Sequence, residues 1–354
     1  GNWGDAGLKL GQGRFLDDHC PVSSCSLVDD VEAISEVDAV IFKDRFSWPR
    51  FGRPLGQLWI LFLLEGPRHT QLFSSIQENT FNWTATYRHD SDLVTPYEKF
   101  VTYESLYGGG GDEGDDEGDS MPENVDLFRS VMLSDGGDNN VVKPRNYAEG
   151  KTKKVAIFIS NCAAQNKRLE YTRELSKHIE VDIYGNCGKL KCPRSKPEEC
   201  FAMLNRDYKF YLAFENSNCR DYITEKFFVN SLGHNSDSLN IVPVVMGGSQ
   251  EDYRRSAPAH SFIHVDDFRS PALLARYLSY LDGNDTAYSE FFDWKSFDRG
   301  PRTGEFINTY FWCRLCALLH APPVHRKSTV SYKSMAQWWA PKGVCLKGFS
   351  RWPE

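Results

Sequence analysis

Tyr208-Lys-Phe-Tyr-Leu-Ala-Phe214 is a short apolar run that ends in the polar residues Glu215-Asn-Ser217. Residues 221–232 follow with helical spacing, with Asp221 in the capping position, and Val242-Pro-Val-Val-Met246 is a second apolar run. Two apolar runs joined by a helix are typical of a βαβ unit, whose strands are parallel. The stretch therefore predicts an α/β domain with a parallel sheet covered on both faces.

The same alternation extends across residues 151–300, which we interpret as a second domain. A chain of 354 residues favours two domains. Residues 1–150 are predicted to form an irregular α/β first domain, and residues 301–354 a Cys- and Trp-rich tail that packs back on that domain. Further strands are expected at 57–64, 155–160, 181–185 and 261–265, and further helices at 169–179, 197–204 and 271–281.

The charge of the chain is concentrated in one place. The formal net charge is −7, and the run Asp112-Glu-Gly-Asp-Asp-Glu-Gly-Asp119 supplies six negative charges, which leaves the remainder near −1. The absence of a broad basic surface argues against a nucleic-acid partner. Residues 107–120 cannot bury apolar surface, so they are predicted to be a disordered, solvated insertion rather than a cation site.

The ten Cys residues indicate an oxidising compartment, because cytosolic proteins rarely contain so many. Two N-glycosylation sequons, at Asn82 and Asn284, support that interpretation. Cys313-Arg-Leu-Cys316 resembles half of a zinc site, but no second ligand pair accompanies it, so disulfides are favoured.

The targeting of the chain is not explained by its own sequence. Its longest apolar run, Leu58-Trp-Ile-Leu-Phe-Leu-Leu64, has seven residues, whereas about 20 are needed to span a bilayer. No signal peptide begins the chain. We therefore expect a lumenal protein whose N-terminal membrane anchor is absent from this sequence.

Polar residues follow two of the predicted strands. In open parallel sheets, ligands bind beyond the carboxyl ends of the strands, which here are marked by Ser160-Asn161 and by residues 215–217. On the predicted helix, Tyr222, Glu225 and Lys226 share one face, and a Lys in the first turns is suited to phosphate. No Gly-rich phosphate loop and no G-x-S-x-G motif is present, which weakens dinucleotide, ATP and hydrolase interpretations.

These segments together closely resemble the α1,3-fucosyltransferase family, glycosyltransferase family 10. The resemblance covers residues 35–320 and is most specific in the donor motif. The segments that carry it are Gly52-Arg-Pro-Leu-Gly-Gln-Leu-Trp59, Phe81-Asn-Trp-Thr84, Tyr87-Arg-His-Asp-Ser-Asp92, Phe210-Tyr-Leu-Ala-Phe-Glu-Asn-Ser217, Asp221-Tyr-Ile-Thr-Glu-Lys226, Val242-Pro-Val-Val245 and Phe262-Ile-His-Val-Asp-Asp-Phe268.

The resemblance implies a GT-B fold, in which two Rossmann-like domains face each other across a cleft. The first domain would hold the acceptor and the second GDP-fucose. Further segments, such as Ser160-Asn-Cys162 and Thr303-Gly-Glu-Phe-Ile-Asn-Thr-Tyr310, look most like the invertebrate core-type enzymes. Those enzymes add fucose to the asparagine-linked GlcNAc of N-glycans in the Golgi lumen, so an N-glycan or glycoprotein is the implied acceptor.

The resemblance also implies roles for individual residues. Glu65 matches the general base of this inverting reaction, and a carboxylate after an apolar strand is expected to be partly desolvated and hence more basic. Many relatives have Ser where this chain has Gly66, so the orientation of the carboxylate is expected to loosen. Arg168 and Lys226 match the cations that stabilise the leaving diphosphate. The implied donor-binding residues are Ser160, Asn161, Arg168, Glu215, Asn216, Ser217, Tyr222, Thr224, Glu225 and Lys226.

Further expectations concern the acceptor side, metal binding and the disulfides. His89, Asp90 and Asp92 shape either the acceptor side or the local structure. No DxD-like motif follows a strand, so no obligate metal site is predicted, although manganese stimulation is compatible with the family. Cys313 and Cys316 are expected to pair with Cys20, Cys25 or Cys345, and Cys187, Cys192 and Cys200 to pair locally.

Two alternative functions stay open. One is a Lewis-type transferase that acts on the GlcNAc of lactosamine, and the other is a catalytically inactive relative that binds glycan or nucleotide. Insertions at 107–120 and 233–241 would favour the latter if they entered the cleft.

Overall fold

The computed structural model describes residues 9–50, 52–102, 105, 145–193, 195–233, 239–295, 304–307, 309–322, 331–348 and 351–352. The acidic insertion at 107–120 lies outside these residues, as do residues 234–238 of the second insertion. None of the described helices is long and apolar enough to cross a membrane.

The first domain is built on a parallel sheet of four strands in sequential order. Strand β2 is almost entirely buried, because its alternate side chains face two different cores. The bounds are α1 Gly13–Asp17, β1 Ala39–Lys43, β2 Leu58–Leu63, β3 Trp83–Thr86 and β4 Leu93–Val94.

The second domain is a parallel sheet of five strands, as the sequence predicted. Its strands are β6 Lys153–Phe158, β7 Val181–Tyr184, β8 Tyr208–Phe214, β9 Val242–Met246 and β10 Ile263–His264. They lie side by side in the order β10–β9–β8–β6–β7, which is a doubly wound arrangement. The order in which successive strands are added to the sheet reverses between β6 and β8, so the ligand crevice is expected at their carboxyl ends.

Helices cover both faces of this second sheet. Pro271 and the Ser270 cap, which accepts from the Leu273 backbone N–H, start a twelve-residue helix with an apolar inner face. The helices are α2 Arg168–Leu175, α3 Pro197–Asp207, α4 Glu225–Phe227 continued by a π-helical turn Phe228–Leu232, α5 Gln250–Ser256, α6 Pro271–Asp282 and α7 Asp285–Ser289, followed by a 3₁₀ segment Glu290–Lys295. Ala148 is buried in the same core, so this domain begins before residue 151.

The tail after residue 300 contacts both domains. Strand β11 Gly304–Ile307 pairs antiparallel with Lys99–Thr102 (β5), and this ribbon packs on the core of the second domain. Helix α8 Phe311–His320 covers one face of the first sheet, and helix α9 Met335–Trp339 covers the other. Packing on the first domain alone was therefore too simple an expectation, because the beginning of the tail joins the second domain.

All ten Cys residues form disulfides. Cys20–Cys313 and Cys25–Cys316 attach α8 to the beginning of the chain, as expected, and Cys192–Cys200 is local. Two pairings differ from expectation: Cys187 bonds to Cys162, and Cys345 bonds to Cys219. The sequence analysis had left Cys162 and Cys219 without partners, because the loops in which they lie approach those segments only in the folded chain.

Replacement of the buried tail indole is expected to loosen the first domain. Trp339 is 1% exposed, and its Nε1–H donates to Thr70 Oγ1 at 2.8 Å. Trp339→Ala should lower the free energy of unfolding by about 3–5 kcal/mol, as measured by urea denaturation. Trp338→Ala is the matched control, since Trp338 is only half-buried and should cost clearly less. Equal losses for the two variants would contradict the packing described here.

Candidate active site

The carboxyl ends of β6 and β8 form the floor of the cleft. Ser160 and Asn161 follow β6 and are exposed, and the Asn161 side chain accepts from the Ala163 backbone N–H at 3.2 Å. Glu215 and Asn216 follow β8 directly. The structure thus brings together, at the switch point, the two polar segments that the sequence singled out.

Glu215 is a completely buried carboxylate. It accepts from the Thr224 backbone N–H at 2.8 Å, and both of its oxygens lie 2.9 Å from the Thr224 hydroxyl. Burial raises the pKa of Glu215, although Lys226 opposes that shift. The role of Glu215 is therefore internal: it fixes the loop that presents Thr224 and Lys226.

Lys226 is the cation closest to this carboxylate. Its Nζ lies 3.2 Å from Glu215 Oε2, 3.0 Å from Glu225 Oε1 and 2.9 Å from Thr224 Oγ1. Burial lowers the pKa of Lys226, but the Glu215 and Glu225 carboxylates raise it by more, so the net shift is upward. For Glu225 the corresponding burial effect is outweighed by Lys226, and its pKa is lowered. The group is thus an ammonium held between two carboxylates at the cleft.

Arg168 lies beneath the strand ends and is 4% exposed. Its Nη1 donates to the Phe214 carbonyl at 2.8 Å, and burial lowers its pKa. Within the described part of the chain, its buried Nε has no hydrogen-bond partner, and neither have Asn216 Oδ1 and Ser217 Oγ. Buried polar atoms without partners are rare in folded proteins, so these three atoms make the strand ends a candidate ligand site.

Glu65 reaches this site from the first domain. It follows β2, and its Oε2 accepts from the Tyr222 hydroxyl at 2.8 Å and from Asn216 Nδ2 at 3.4 Å. Burial, together with the Glu215 and Glu65 carboxylates, raises the pKa of Tyr222 far above its usual range, so its hydroxyl is the donor. Both donors bind the same oxygen of Glu65, which leaves Oε1 for another partner.

Two expectations about Glu65 need correction. The residue is exposed in the cleft rather than desolvated, because the strand has ended and the facing domain does not cover it. Its orientation is also fixed despite Gly66. The Tyr222 ring lies 3.5 Å from the position that a Cβ at residue 66 would take, so this ring packs against the turn and its hydroxyl holds the carboxylate.

The predicted helix beginning at Asp221 is also wrong. Asp221 adopts a left-handed backbone conformation with φ of 60°, and the helix begins at Glu225 with Thr224 as its cap. The Asp221 carboxylate is used elsewhere, since it binds His89 and Arg255. Tyr222 therefore does not share a helical face with Lys226, and the extended approach to the helix lets it face Glu65 instead.

The three candidate acceptor residues have different positions. His89 Nδ1 lies 2.6 Å from Asp221 Oδ2, and this contact joins the two domains beside the cleft. Asp90 forms a two-point ion pair with Arg88, whose guanidinium stacks on Trp338. Asp92 accepts from Thr84 and from Tyr332, so its position is structural.

The sequence analysis missed several residues of the site. Tyr97 donates to the Leu64 carbonyl at 3.1 Å and supports the turn before Glu65. Tyr87 contacts both Trp339 and Tyr222, which connects the tail to the cleft. Asn166 Nδ2 donates to the Glu215 carbonyl at 2.9 Å. Of these residues, only Tyr87 had a signal in the sequence, because it belongs to the family-like segment at residues 87–92.

The two sequons lie in different surroundings. Asn82 Oδ1 accepts from the Trp59 backbone N–H at 2.9 Å and from Arg53, and Thr84 is fully buried. Asn284 caps α7 near the surface by accepting from the Ala287 N–H. Glycosylation at both remains a prediction.

The described residues offer one group of metal-ligand side chains, which consists of Cys25, Cys316 and His320. Both sulfurs of that group are joined in a disulfide. The group lies on the first domain and α8, away from the strand ends that carry Lys226.

Loss of the Lys226 ammonium is expected to destabilise the second domain. Lys226→Met leaves Glu215 buried without its cation, which should cost roughly 3–5 kcal/mol in urea denaturation. Adding Glu215→Gln should restore most of that loss, because no buried carboxylate is then left without its ammonium. Lys177→Met is the control, since its ion pair with Glu174 is exposed and should contribute little. A double variant no more stable than Lys226→Met would refute the pairing.

Comparison with known proteins gives this site its context. A family model described as "Glycosyltransferase family 10 (fucosyltransferase) C-term" matches residues 148–338, and "Fucosyltransferase, N-terminal" matches residues 3–98. Glycoprotein 3-alpha-L-fucosyltransferase A of Drosophila melanogaster is 44% identical over 96% of this chain, which spans only 59% of that relative's length. Alpha-(1,3)-fucosyltransferase C of Drosophila melanogaster is 33% identical, over 93% of this chain and 72% of its own length.

Two further matches are more distant. The human 4-galactosyl-N-acetylglucosaminide 3-alpha-L-fucosyltransferase FUT6 is 33% identical, over 89% of this chain and 75% of its own length. A crystal structure of an alpha1,3-fucosyltransferase aligns with 89% of this chain and 85% of its own at 17% identity, with a TM-score of 0.49. On the family models and the two Drosophila relatives, the chain belongs to glycosyltransferase family 10, the fucosyltransferases.

Proposed function

We propose that this protein transfers L-fucose from GDP-fucose to O3 of the asparagine-linked GlcNAc of N-glycans, with inversion at the fucose anomeric carbon. The observation that carries the proposal is the contact between Glu65 and Tyr222. It holds a carboxylate of one domain against the segment of the other domain that carries Lys226. A transferase needs both groups at one point, because the acceptor loses a proton as the diphosphate gains charge.

On the donor side, Lys226 and Arg168 bind the diphosphate of GDP-fucose. Lys226 serves as a point charge, and Arg168 offers a planar guanidinium with donors beyond the one used by Phe214. The Glu225 side chain is 49% exposed, which lets it turn toward a ribose hydroxyl. Ser160, Asn161, Asn216 and Ser217 complete the pocket for nucleotide and fucose. Two cations neutralise most of the leaving-group charge, so no obligate metal is proposed, and manganese acts at most as a stimulant.

On the acceptor side, Glu65 is the general base. Its Oε2 is held by Tyr222 and Asn216, so Oε1 faces the acceptor and takes the proton from O3. O3 then attacks the fucose anomeric carbon from the face opposite GDP. The bond from that carbon to the phosphate oxygen breaks, and its electron pair leaves with GDP.

The choice of acceptor rests on the relatives. The 44% identical Drosophila protein is named a glycoprotein 3-alpha-L-fucosyltransferase, whereas the human 4-galactosyl-N-acetylglucosaminide 3-alpha-L-fucosyltransferase is 33% identical. This difference favours the N-glycan core over lactosamine. The Golgi lumen is the proposed location, with membrane attachment through an N-terminal anchor, and the five disulfides suit that oxidising compartment.

Replacement of the base tests the mechanism. Glu65→Gln should lower turnover about 10²–10⁴-fold, because the amide cannot accept the proton. GDP affinity, measured by isothermal titration calorimetry, should stay unchanged, since Lys226 and Arg168 are intact. Glu36→Gln, at an exposed position of the same domain, is the matched control. Normal turnover in Glu65→Gln would remove Glu65 as the base.

The acceptor is identified by offering GDP-fucose with two compounds, an asparagine-linked truncated N-glycan and a terminal lactosamine. Mass spectrometry should detect the gain of one deoxyhexose on the N-glycan core only. A gain on lactosamine alone would assign the Lewis-type function. Binding of GDP-fucose with no gain on either acceptor would instead support the catalytically inactive alternative.

A further inference from the structure

A second cavity lies in the first domain, away from the cleft. It has a volume of about 470 Å³ and is lined by residues 48–50, 52 and 53 on one side, by residues 77–80 on the other, and by Trp59 between them. Trp59 begins the buried part of β2, and Glu65 follows the other end of that strand. At about 3.3 Å per residue, the two positions are roughly 20 Å apart. The cavity is therefore separate from the reaction site.

Arg53 connects the two walls of this cavity through hydrogen bonds. Its guanidinium lies 4.9 Å from the centre of the Trp59 ring, and it donates to the Gln57 and Thr80 carbonyls. Burial lowers the pKa of Arg53. Because its N–H groups donate to backbone carbonyls, Arg53 stabilises the base of the cavity and is not available to bind an anion.

The second wall is also rigid. The Thr80 hydroxyl donates to the Gln77 carbonyl at 2.7 Å, and the Asn79 backbone N–H donates to the Tyr332 carbonyl at 3.0 Å. Asn79 is in the left-handed region with φ of 62°. A pocket that is fixed before binding loses little entropy when a ligand enters it.

Trp48 offers an open aromatic surface at the mouth. It is 56% exposed, although Phe46 and Trp59 hold its ring at centroid distances of 5.1 Å and 5.8 Å. A large aromatic ring that is fixed by its neighbours yet open to solvent is suited to the C–H face of a pyranose ring.

The remaining lining is polar and carries both charges. Arg50 and Glu78 are exposed at the rim, and among the described residues neither side chain has a hydrogen-bond or ion-pair partner. Gln77, Asn79 and Thr80 add amide and hydroxyl groups. This combination disfavours an anion, because of Glu78, and disfavours a wholly apolar peptide, because about half of the wall is polar. A neutral polyol with an apolar face matches both features.

We propose that this cavity is a second carbohydrate-binding site, which takes one or two neutral sugar units of a glycoprotein glycan. Trp48 stacks on a pyranose face, while Arg50, Glu78 and Gln77 bind its hydroxyls. The site holds a glycan other than the reacting GlcNAc. The proposal rests on the proposed function only in naming a glycoprotein as the source of that glycan, because sugar binding at this cavity does not require fucose transfer.

A binding experiment without donor separates the two sites. Mannotriose and N-acetyllactosamine, neither of which contains an asparagine-linked GlcNAc, would be titrated into the full chain and followed by saturation-transfer NMR and tryptophan fluorescence. Trp48→Ala should weaken binding about tenfold or more, corresponding to about 1.4 kcal/mol. Leu72→Ala is the control, because Leu72 is an apolar residue of the same domain, 76% exposed and outside the cavity.

The outcomes are distinguishable from those of the transfer assay. Loss in Trp48→Ala with retention in Leu72→Ala and in Glu65→Gln supports the site, whatever acceptor is fucosylated. Equal affinity of Trp48→Ala and the unaltered protein, or no binding of either sugar at millimolar concentration, overturns it. Arg53, which lines the cavity, also binds Asn82, so the titration is repeated after enzymatic removal of the protein's own N-glycans. Binding that appears only then assigns the cavity to the chain's own glycan and overturns the glycoprotein source.

Discussion

The first sheet cannot bury both of its faces with the residues that surround it in sequence. Parallel strands such as β2 are apolar on both sides and need cover on both, and the segments between β1 and β4 contribute no α-helix within the described residues. Helices α8 and α9, more than 200 residues later, supply that cover. The tail is therefore part of the first domain's core, and the remaining features of the molecule depend on its attachment.

The same tail is also attached to the segment that is proposed to bind the donor. Cys345 is bonded to Cys219, and on either side of this disulfide the Arg220 N–H donates to Val344 and the Leu346 N–H to Asn218. Residues 216–224, which carry Asn216 and Tyr222, are thus attached to the segment that covers the first sheet. Trp339, Tyr87 and Tyr222 continue the contact through their rings as far as Glu65. Residues 339–346 of the tail consequently contact both Glu65's neighbours in the first domain and the segment proposed to bind the donor.

The sequence predicted what depends on local periodicity. The strands at β6, β8 and β9 and the helix at α6 are confirmed within a few residues, because buried parallel strands are continuous apolar runs and α6 has a cap and an apolar stripe. The predicted helix start at Asp221 was wrong, because an Asp side chain can either cap a helix or bind cationic side chains, and the sequence does not distinguish the two uses. Only the fold brings His89 and Arg255 to that carboxylate. The pairing of Cys345 with Cys219 and the exposure of Glu65 depend likewise on how the two domains face each other, which no local pattern encodes.

The balance of charge around Lys226 explains how the donor site can be formed before a ligand arrives. Without a partner, a half-buried ammonium would move toward solvent, and here Glu215 prevents that because it is wholly buried and bound by Thr224. Glu225 is different, since it is half exposed and is held at one oxygen by Lys226. Under the proposed function, an entering diphosphate competes with Glu225 for Lys226 and leaves Glu215 in place. Lys226 then keeps its position while the diphosphate replaces Glu225 as its partner. Little reorganisation is therefore needed when negative charge develops on the leaving group.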